Sequence, residues 1–159
     1  GTCQANSQAA EKERFMTEIS GVAEAVLYVD DLDRATAFYT RVLGLPLTAG
    51  FDEARFLQTG RDSTLILFDA EGIRRRKSAI PSHGAVGEGH VALAVPAGEI
   101  DAWRERLERH GVAIEHEQTW SYGSRSIYFR DPDNNSLELI TDDHYPLNWQ
   151  RHVAPDAND

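Results

Sequence analysis

The sequence of 159 residues has one cysteine, Cys3, which therefore has no partner for an internal disulfide bond. No apolar run reaches the length of a membrane-spanning helix, and the N-terminus lacks the basic and then apolar pattern of a secretory signal. Basic residues are also scarce, since 16 lysines and arginines oppose 26 aspartates and glutamates, a formal net charge of −10. These deficits argue against nucleic-acid and membrane partners. We expect a soluble cytoplasmic protein with a small-molecule partner.

The chain length fits one domain with a single sizeable core. Residues 1–20 are rich in Gln, Glu, Ala and Ser and carry too little apolar surface to offset the cost of ordering, so they predict a flexible polar arm. The folded domain is expected over residues 22–141. Residues 142–159, which show no clear period, form the predicted C-terminal tail.

The folded region looks duplicated. The segment Glu24–Val29 aligns without a gap on His90–Val95, and each is followed by a helix-like segment that closes on a glycine, Gly44 or Gly111. With only two copies, the repeat favours one closed domain over an extended array.

Each copy reads as a β-α-β-β-β module. The modules are predicted at residues 22–70 and 89–141, and the irregular linker between them at residues 71–88. The first module has strand patterns near 22–29, 47–51, 54–59 and 64–68, with a helix between Asp33 and Gly44. The second has them near 90–95, 113–118, 126–130 and 136–141, with a helix at about 99–110.

The duplication offers four equivalent positions, two per module. Three of them carry side chains that bind metals, namely Glu24, His90 and Glu138, while the fourth is Ile66. Three nitrogen or oxygen ligands leave coordination positions open for water or substrate, which a catalytic metal requires. Taken singly, each has an ordinary structural explanation, such as a solvent-facing strand carboxylate or a core histidine. The three together favour a metal site.

Several motifs resemble those of the vicinal oxygen chelate superfamily, which includes glyoxalase I, extradiol dioxygenases, fosfomycin-resistance transferases and bleomycin-binding proteins. The motifs are Val29–Leu32, Phe38–Tyr39, Val42–Leu45, Gly89–Ala92 and Tyr128–Asn134. The resemblance implies an α+β fold, in which two β-α-β-β-β modules form an open, cup-shaped mixed sheet with helices on the outer face.

The resemblance also implies the metal ligands, which come from the first strand of each module and the last strand of one or both. Carried over, they are Glu24, His90 and Glu138. Glu24 stands where His or Gln is usual, and Ile66 where glyoxalase-like members have a second carboxylate, so the strict glyoxalase I activity is not expected. Two carboxylates and an imidazole suit a divalent ion such as Mn²⁺, Fe²⁺, Ni²⁺, Co²⁺, Zn²⁺ or Mg²⁺.

The candidate catalytic residues are Glu138 or Glu24 as the base, with Tyr128 or His83 as a hydrogen-bond donor. A packed core aromatic and a loop histidine without a role are equally good explanations of the last two. The candidate substrate contacts are Ile66, Ser126, Arg125 and Trp120.

Three functions remain open at this stage. The first is a metal-dependent enzyme that binds a small substrate through vicinal oxygens and transfers a proton, as an isomerase or lyase does. The second is an iron-dependent ring-cleaving dioxygenase, and the third a non-catalytic protein that sequesters an antibiotic or metabolite. Because an open sheet leaves unpaired edges, we expect a homodimer, with each site inside one chain or completed across the dimer.

Overall fold

The structure is a computed structural model that describes residues 22–77, 80–81, 83–85, 87–121 and 123–143. The predicted arm at residues 1–20 and most of the predicted tail, from residue 144 onwards, lie outside the described residues.

The first module has the predicted order of elements. Its strands are β1 (Glu24–Val29), β2 (Leu47–Phe51), β3 (Ala54–Gln58) and β4 (Thr64–Asp69), and helix α1 (Leu32–Arg41) lies between β1 and β2. The sheet order is β1-β4-β3-β2, in which β1 and β4 are parallel and the other pairs are antiparallel.

The second module repeats this plan. Its strands are β5 (His90–Val95), β6 (Ile114–Thr119), β7 (Arg125–Arg130) and β8 (Ser136–Thr141). A 3₁₀ turn (Ala97–Glu99) leads into its helix, which is labelled α3 (Ile100–Arg109) because one further helix precedes it in the chain. The sheet order is β5-β8-β7-β6, with β5 and β8 parallel.

The strand registers confirm the duplication. Val26 pairs with Ile66 in the first sheet, and Ala92 pairs with Glu138 at the equivalent place in the second. The α+β class with two mixed sheets and attached helices is therefore as predicted. Within the described part of the chain, each module has its own four-stranded sheet.

Local chemistry explains where the module helices begin and end. Asp31 caps α1 by accepting a hydrogen bond from the backbone N–H of Arg34 (2.9 Å). Gly44 and Gly111, which follow α1 and α3, both have φ of 70°, a conformation that costs glycine little.

The predicted linker holds an additional helix, α2 (Ala70–Arg75), so the expectation of an irregular segment was wrong for its first residues. Asp69 caps α2 through the N–H of Glu71 (3.0 Å), and Ile73 is buried against the first sheet. The charged residues of this segment made its short amphipathic helix difficult to recognise in the sequence.

The main core lies between the helices and one face of each sheet, and it joins the two modules. Tyr39 and Leu107 are fully buried in it, whereas Phe38 and Trp103 are partly buried. A smaller apolar cluster covers the opposite face of the first sheet. Among the described residues, none forms a helix with the length and apolarity that a membrane crossing requires.

Candidate metal centre

His90 and Glu138 lie side by side on the second sheet, on the face opposite the main core. His90 begins β5, Glu138 lies on the neighbouring strand β8, and the His90 Nε2 and Glu138 Oε2 atoms are 3.4 Å apart. Two donors that bind one ion at about 2.1 Å each are separated by roughly 3.0–3.4 Å at usual coordination angles. The pair therefore has the spacing of two ligands to one metal.

The other nitrogen of His90 is held by the backbone. Nδ1 lies 3.0 Å from the carbonyl oxygen of Ser136, and an N–H at Nδ1 donates to that oxygen. This tautomer leaves a lone pair on Nε2, as a metal-binding histidine requires. The side chain is about half exposed, so the lone pair remains accessible.

Glu138 is oriented by two further side chains. Its carboxylate is only 8% exposed, and Oε1 accepts a hydrogen bond from the Ser126 hydroxyl (2.6 Å). The Ser126 oxygen in turn accepts from Nε1 of Trp120 (2.9 Å). Because Oε1 is occupied, Oε2 is directed to the side where His90 lies. Ser126 and Trp120, predicted as substrate contacts, here position the carboxylate.

An aromatic wall adjoins the pair. The register places Glu138 opposite Tyr128 and Tyr128 opposite His116, in one row across three strands. The ring of His90 stacks on that of Tyr128, with centroids 6.4 Å apart and an interplanar angle of 19°. Tyr128 thus lies beside the His90–Glu138 pair, and its role in a site stays a prediction.

Glu24 lies elsewhere in the same chain. It is exposed at the start of β1, lines a cavity of about 260 Å³ on the first module, and has no hydrogen bond or ion pair with a described residue. No group of three His, Cys, Asp or Glu side chains with metal-binding geometry occurs among the described residues. The residues present fit a divalent metal in two of three predicted positions, and one chain does not bring Glu24 to them.

The predicted fourth position, Ile66, is buried in the apolar face of the first module, 2% exposed. His83, the predicted acid or base, lies on the same face, where Nδ1 is 2.6 Å from the Tyr28 hydroxyl. The His83 ring also meets Phe68 edge to face, with centroids 4.7 Å apart. These residues lie on the apolar face of the first sheet, opposite the main core.

Tyr28 was missed by sequence reasoning. Burial raises the pKa of its hydroxyl above the ordinary value, so the hydroxyl remains protonated, and it shares a hydrogen bond with Nδ1 of His83. The alternation along β1 was an available signal, because Tyr28 shares the face of Glu24.

Arg125, a predicted substrate contact, is directed away from the pair. Its guanidinium makes two hydrogen bonds to the Asp101 carboxylate on α3, at 2.9 and 3.3 Å. A substrate anion would have to compete with Asp101 for it.

The model of the Glyoxalase/Bleomycin resistance protein/Dioxygenase superfamily matches residues 21–139. A solved structure, the lactoylglutathione lyase from Agrobacterium tumefaciens, is 37% identical and superposes with a TM-score of 0.76 over 82% of this chain and 99% of that one.

Two curated relatives have different names. The glutathione transferase FosA of Serratia marcescens is 32% identical over 71% of this chain and 74% of its own length. The catechol-2,3-dioxygenase of Bacillus subtilis is 30% identical over 84% of this chain, but the match spans only 45% of that protein. The chain spans less than half the length of such dioxygenase relatives.

Proposed function

The chain belongs to the glyoxalase/bleomycin resistance protein/dioxygenase superfamily, and on that premise we propose that it is a metal-dependent enzyme for a small substrate with two neighbouring oxygens. The reaction we infer is a proton transfer of the isomerase or lyase type. The observation that carries this proposal is the His90–Glu138 pair, with both side chains fixed by further hydrogen bonds.

His90 and Glu138 would hold the metal, together with Glu24 of a second copy of the chain. One chain presents Glu24 and the pair at separate places, which supports a site completed across a dimer. Histidine nitrogen and carboxylate oxygen suit Mn²⁺, Fe²⁺, Ni²⁺, Co²⁺, Zn²⁺ or Mg²⁺. When bound, such an ion polarises the substrate oxygens and stabilises negative charge that develops on them.

Three side chains of the protein supply the remaining roles, namely those of fixed ligand, base and hydrogen-bond donor. Glu138 is nearly fully buried and accepts a hydrogen bond from Ser126, so we assign it the role of a fixed metal ligand. Glu24 is exposed and has no partner among the described residues, so of the two carboxylates it is the one that could leave its ligand position and accept a proton from substrate carbon. Tyr128 stands beside the pair and is placed to hydrogen-bond a substrate oxygen.

Metal content tests the proposal. Protein purified without chelator should contain about one divalent ion per chain, and His90→Ala and Glu138→Gln should each lose most of it, because the two remaining ligands bind the ion only weakly. His116→Ala is the matched control, since His116 faces Tyr128 from β6 and is not a proposed ligand. Full metal occupancy in both ligand variants, with folding intact by circular dichroism, would contradict the assignment.

A ring-cleaving dioxygenase is the second candidate, favoured by the aromatic side chains of the first module and by the catechol-2,3-dioxygenase relative. Oxygen consumption separates the two functions. If ring cleavage is the reaction, protein loaded with Fe²⁺ opens the ring of catechol and consumes oxygen faster than free Fe²⁺ at the same concentration. A proton-transfer enzyme instead exchanges substrate hydrogen with solvent deuterium without oxygen.

A further inference from the structure

The two modules present matching rows of residues with opposite chemistry. In the second module, the row across β5, β8, β7 and β6 reads Ala92, Glu138, Tyr128 and His116. The equivalent row across β1, β4, β3 and β2 of the first module reads Val26, Ile66, Phe56 and Ala49. The second module therefore has a mainly polar row of side chains where the first module has an apolar row.

Two residues of the apolar row, Ile66 and Phe56, line a cavity of about 260 Å³. Its lining includes Phe51, Phe56, Phe68, Ile66 and Ile73. A cavity of about 150 Å³ with such a lining is already large enough to bind benzene. The space on the first module therefore suits one aromatic ring with a substituent.

The aromatic side chains are arranged around that space at the distances of interacting rings. The ring centroids of Phe51 and Phe56 are 5.9 Å apart, and those of Phe68 and His83 are 4.7 Å apart. Separations of about 4.5–7 Å are those at which aromatic rings attract one another. A ligand ring inserted among them gains the same contacts, which a saturated chain of equal size lacks.

Two charged residues line the same cavity. Arg76 lies with its guanidinium 5.0 Å from the Phe51 centroid and has no carboxylate partner among the described residues. The neighbouring Arg75, in contrast, is paired with Glu71. Glu24, the proposed third metal ligand, is the other charged residue of the lining.

We propose that the first module binds an aromatic ring of the substrate, and that Arg76 favours substrates that also carry a negative charge. The inference deepens the proposed function and rests on it in one respect: the ring is part of the molecule whose two oxygens face the metal. Because Glu24 lines the cavity, a ring bound there places its substituent beside a metal ligand. The substrate class is an aryl compound with adjacent oxygens and an anionic group.

Three compounds with adjacent oxygens separate the contributions of the ring and the charge. Benzoylformate has all three features, pyruvate lacks the ring, and 1-phenyl-1,2-propanedione lacks the charge. Binding is measured by calorimetric titration of the protein in EDTA and again after loading with Mn²⁺. We expect benzoylformate to bind at least about tenfold more tightly than pyruvate in both forms, as burial of a phenyl group implies. It should also bind more tightly than the neutral dione.

The variants are matched in pairs. Phe56→Leu should reduce the preference for benzoylformate over pyruvate severalfold, whereas Phe38→Leu, a change on helix α1 outside the cavity, should not. Arg76→Gln should remove the preference over the neutral dione, whereas Arg75→Gln should leave it. Equal binding of benzoylformate and pyruvate, or equal effects of the two variants in either pair, would overturn the inference. A ring preference that persists while Mn²⁺ changes nothing would support the cavity and contradict the metal proposal instead.

Discussion

Glu138 is the residue on which the candidate centre depends most, because its two carboxylate oxygens make different contacts. Oε1 accepts from the Ser126 hydroxyl, whose oxygen accepts from Trp120, and Oε2 faces His90. A buried carboxylate needs such partners, since burial of an unpaired charge is costly. The chain of donors fixes the carboxylate before any metal arrives.

Removing the serine hydroxyl should loosen that carboxylate. Ser126→Ala is expected to weaken metal binding by about 10- to 100-fold, the usual cost of losing a hydrogen bond to a ligand side chain. Competition with a fluorescent chelator measures the affinity. Ser124→Ala is the control, because the Ser124 hydroxyl is also buried but has no hydrogen-bond partner in the described structure. Equal affinities in the two variants would remove Ser126 from the site.

At this scale, the sequence predicts which residues share a face but not which atoms bond. Strand alternation places Ser126, Tyr128 and Glu138 together, and the repeat assigns His90 beside them. The sequence does not show that Ser126 donates a hydrogen bond to Glu138, or that Arg125 donates to Asp101. Both hydrogen bonds depend on side-chain rotamers and on the packing of α3. Tyr28 was missed because its partner, His83, is 55 residues away.

Among the elements, helix α1 of the first module is joined to the β7–β8 turn of the second by a buried hydrogen bond. The Tyr39 hydroxyl donates to Oδ2 of Asp131 (2.8 Å). Burial, and then the adjacent Asp131 carboxylate, raise the pKa of Tyr39 above its ordinary value, so it remains a donor. The same carboxylate accepts from the backbone N–H groups of Asp133 and Asn135 and therefore organises the turn.

Tyr39→Phe keeps the ring but removes this donor from a buried charge. We expect the free energy of unfolding to fall by about 1–3 kcal/mol, measured by urea denaturation, because a buried acceptor loses a partner. Tyr28→Phe removes a hydrogen bond at an exposed position and should cost less. A loss for Tyr39→Phe no greater than for Tyr28→Phe would show that the link between the modules contributes little.

A surface ion pair connects α3 to β6 and gives a pH-dependent prediction. The hydrogen bond from Arg104 (2.7 Å) holds the pKa of the Glu117 carboxyl below its ordinary value. A carboxyl with a lowered folded pKa stabilises the protein above its unfolded pKa, and this stability is lost as the pH falls through the folded value. Glu117→Gln should therefore lower stability slightly at pH 7, by less than about 1 kcal/mol.

The difference between wild type and Glu117→Gln should shrink as the pH is lowered below about 4, where an ordinary glutamate becomes protonated. Thermal unfolding from pH 7 to pH 3 measures it. Glu105→Gln, on the same helix as Arg104, provides the comparison without this bond. A difference that grows towards low pH would contradict the sign of the pKa shift.

Element boundaries followed from local patterns where a strong stop signal was present. Gly44 and Gly111 mark the ends of two helices, and the strands Leu47–Phe51, His90–Val95 and Ser136–Thr141 have the predicted bounds. Helix α2 was not predicted, because its stability comes from Ile73 packing on the first sheet, which local sequence does not reveal.

For the whole molecule, the sheet orders leave β1 and β5 as edge strands, and both include partly exposed apolar residues. A cavity of about 270 Å³ lies between them, lined by residues of both strands that include Glu24 and Ala92. Such edges favour a second copy of the chain. The open sheet predicts a dimer, and this stays a prediction, whereas the absence of Glu24 from the His90–Glu138 pair within one chain is visible only in the three-dimensional structure.

A homodimer in solution should have about twice the mass of one 17.7 kDa chain. Light scattering at micromolar concentration measures it, with and without added Mn²⁺. A monomer under both conditions would remove the proposed source of the third ligand.

The most direct test of the account is metal content in a mixed dimer, prepared by co-expressing Glu24→Gln and Glu138→Gln chains with different tags and purifying through both. If each site combines Glu24 of one chain with His90 and Glu138 of the other, the mixed dimer has one site with both defects and one intact site. Each variant alone should then hold little metal, while the mixed dimer recovers about half of the wild-type content. A mixed dimer as poor in metal as its parents would contradict the shared site.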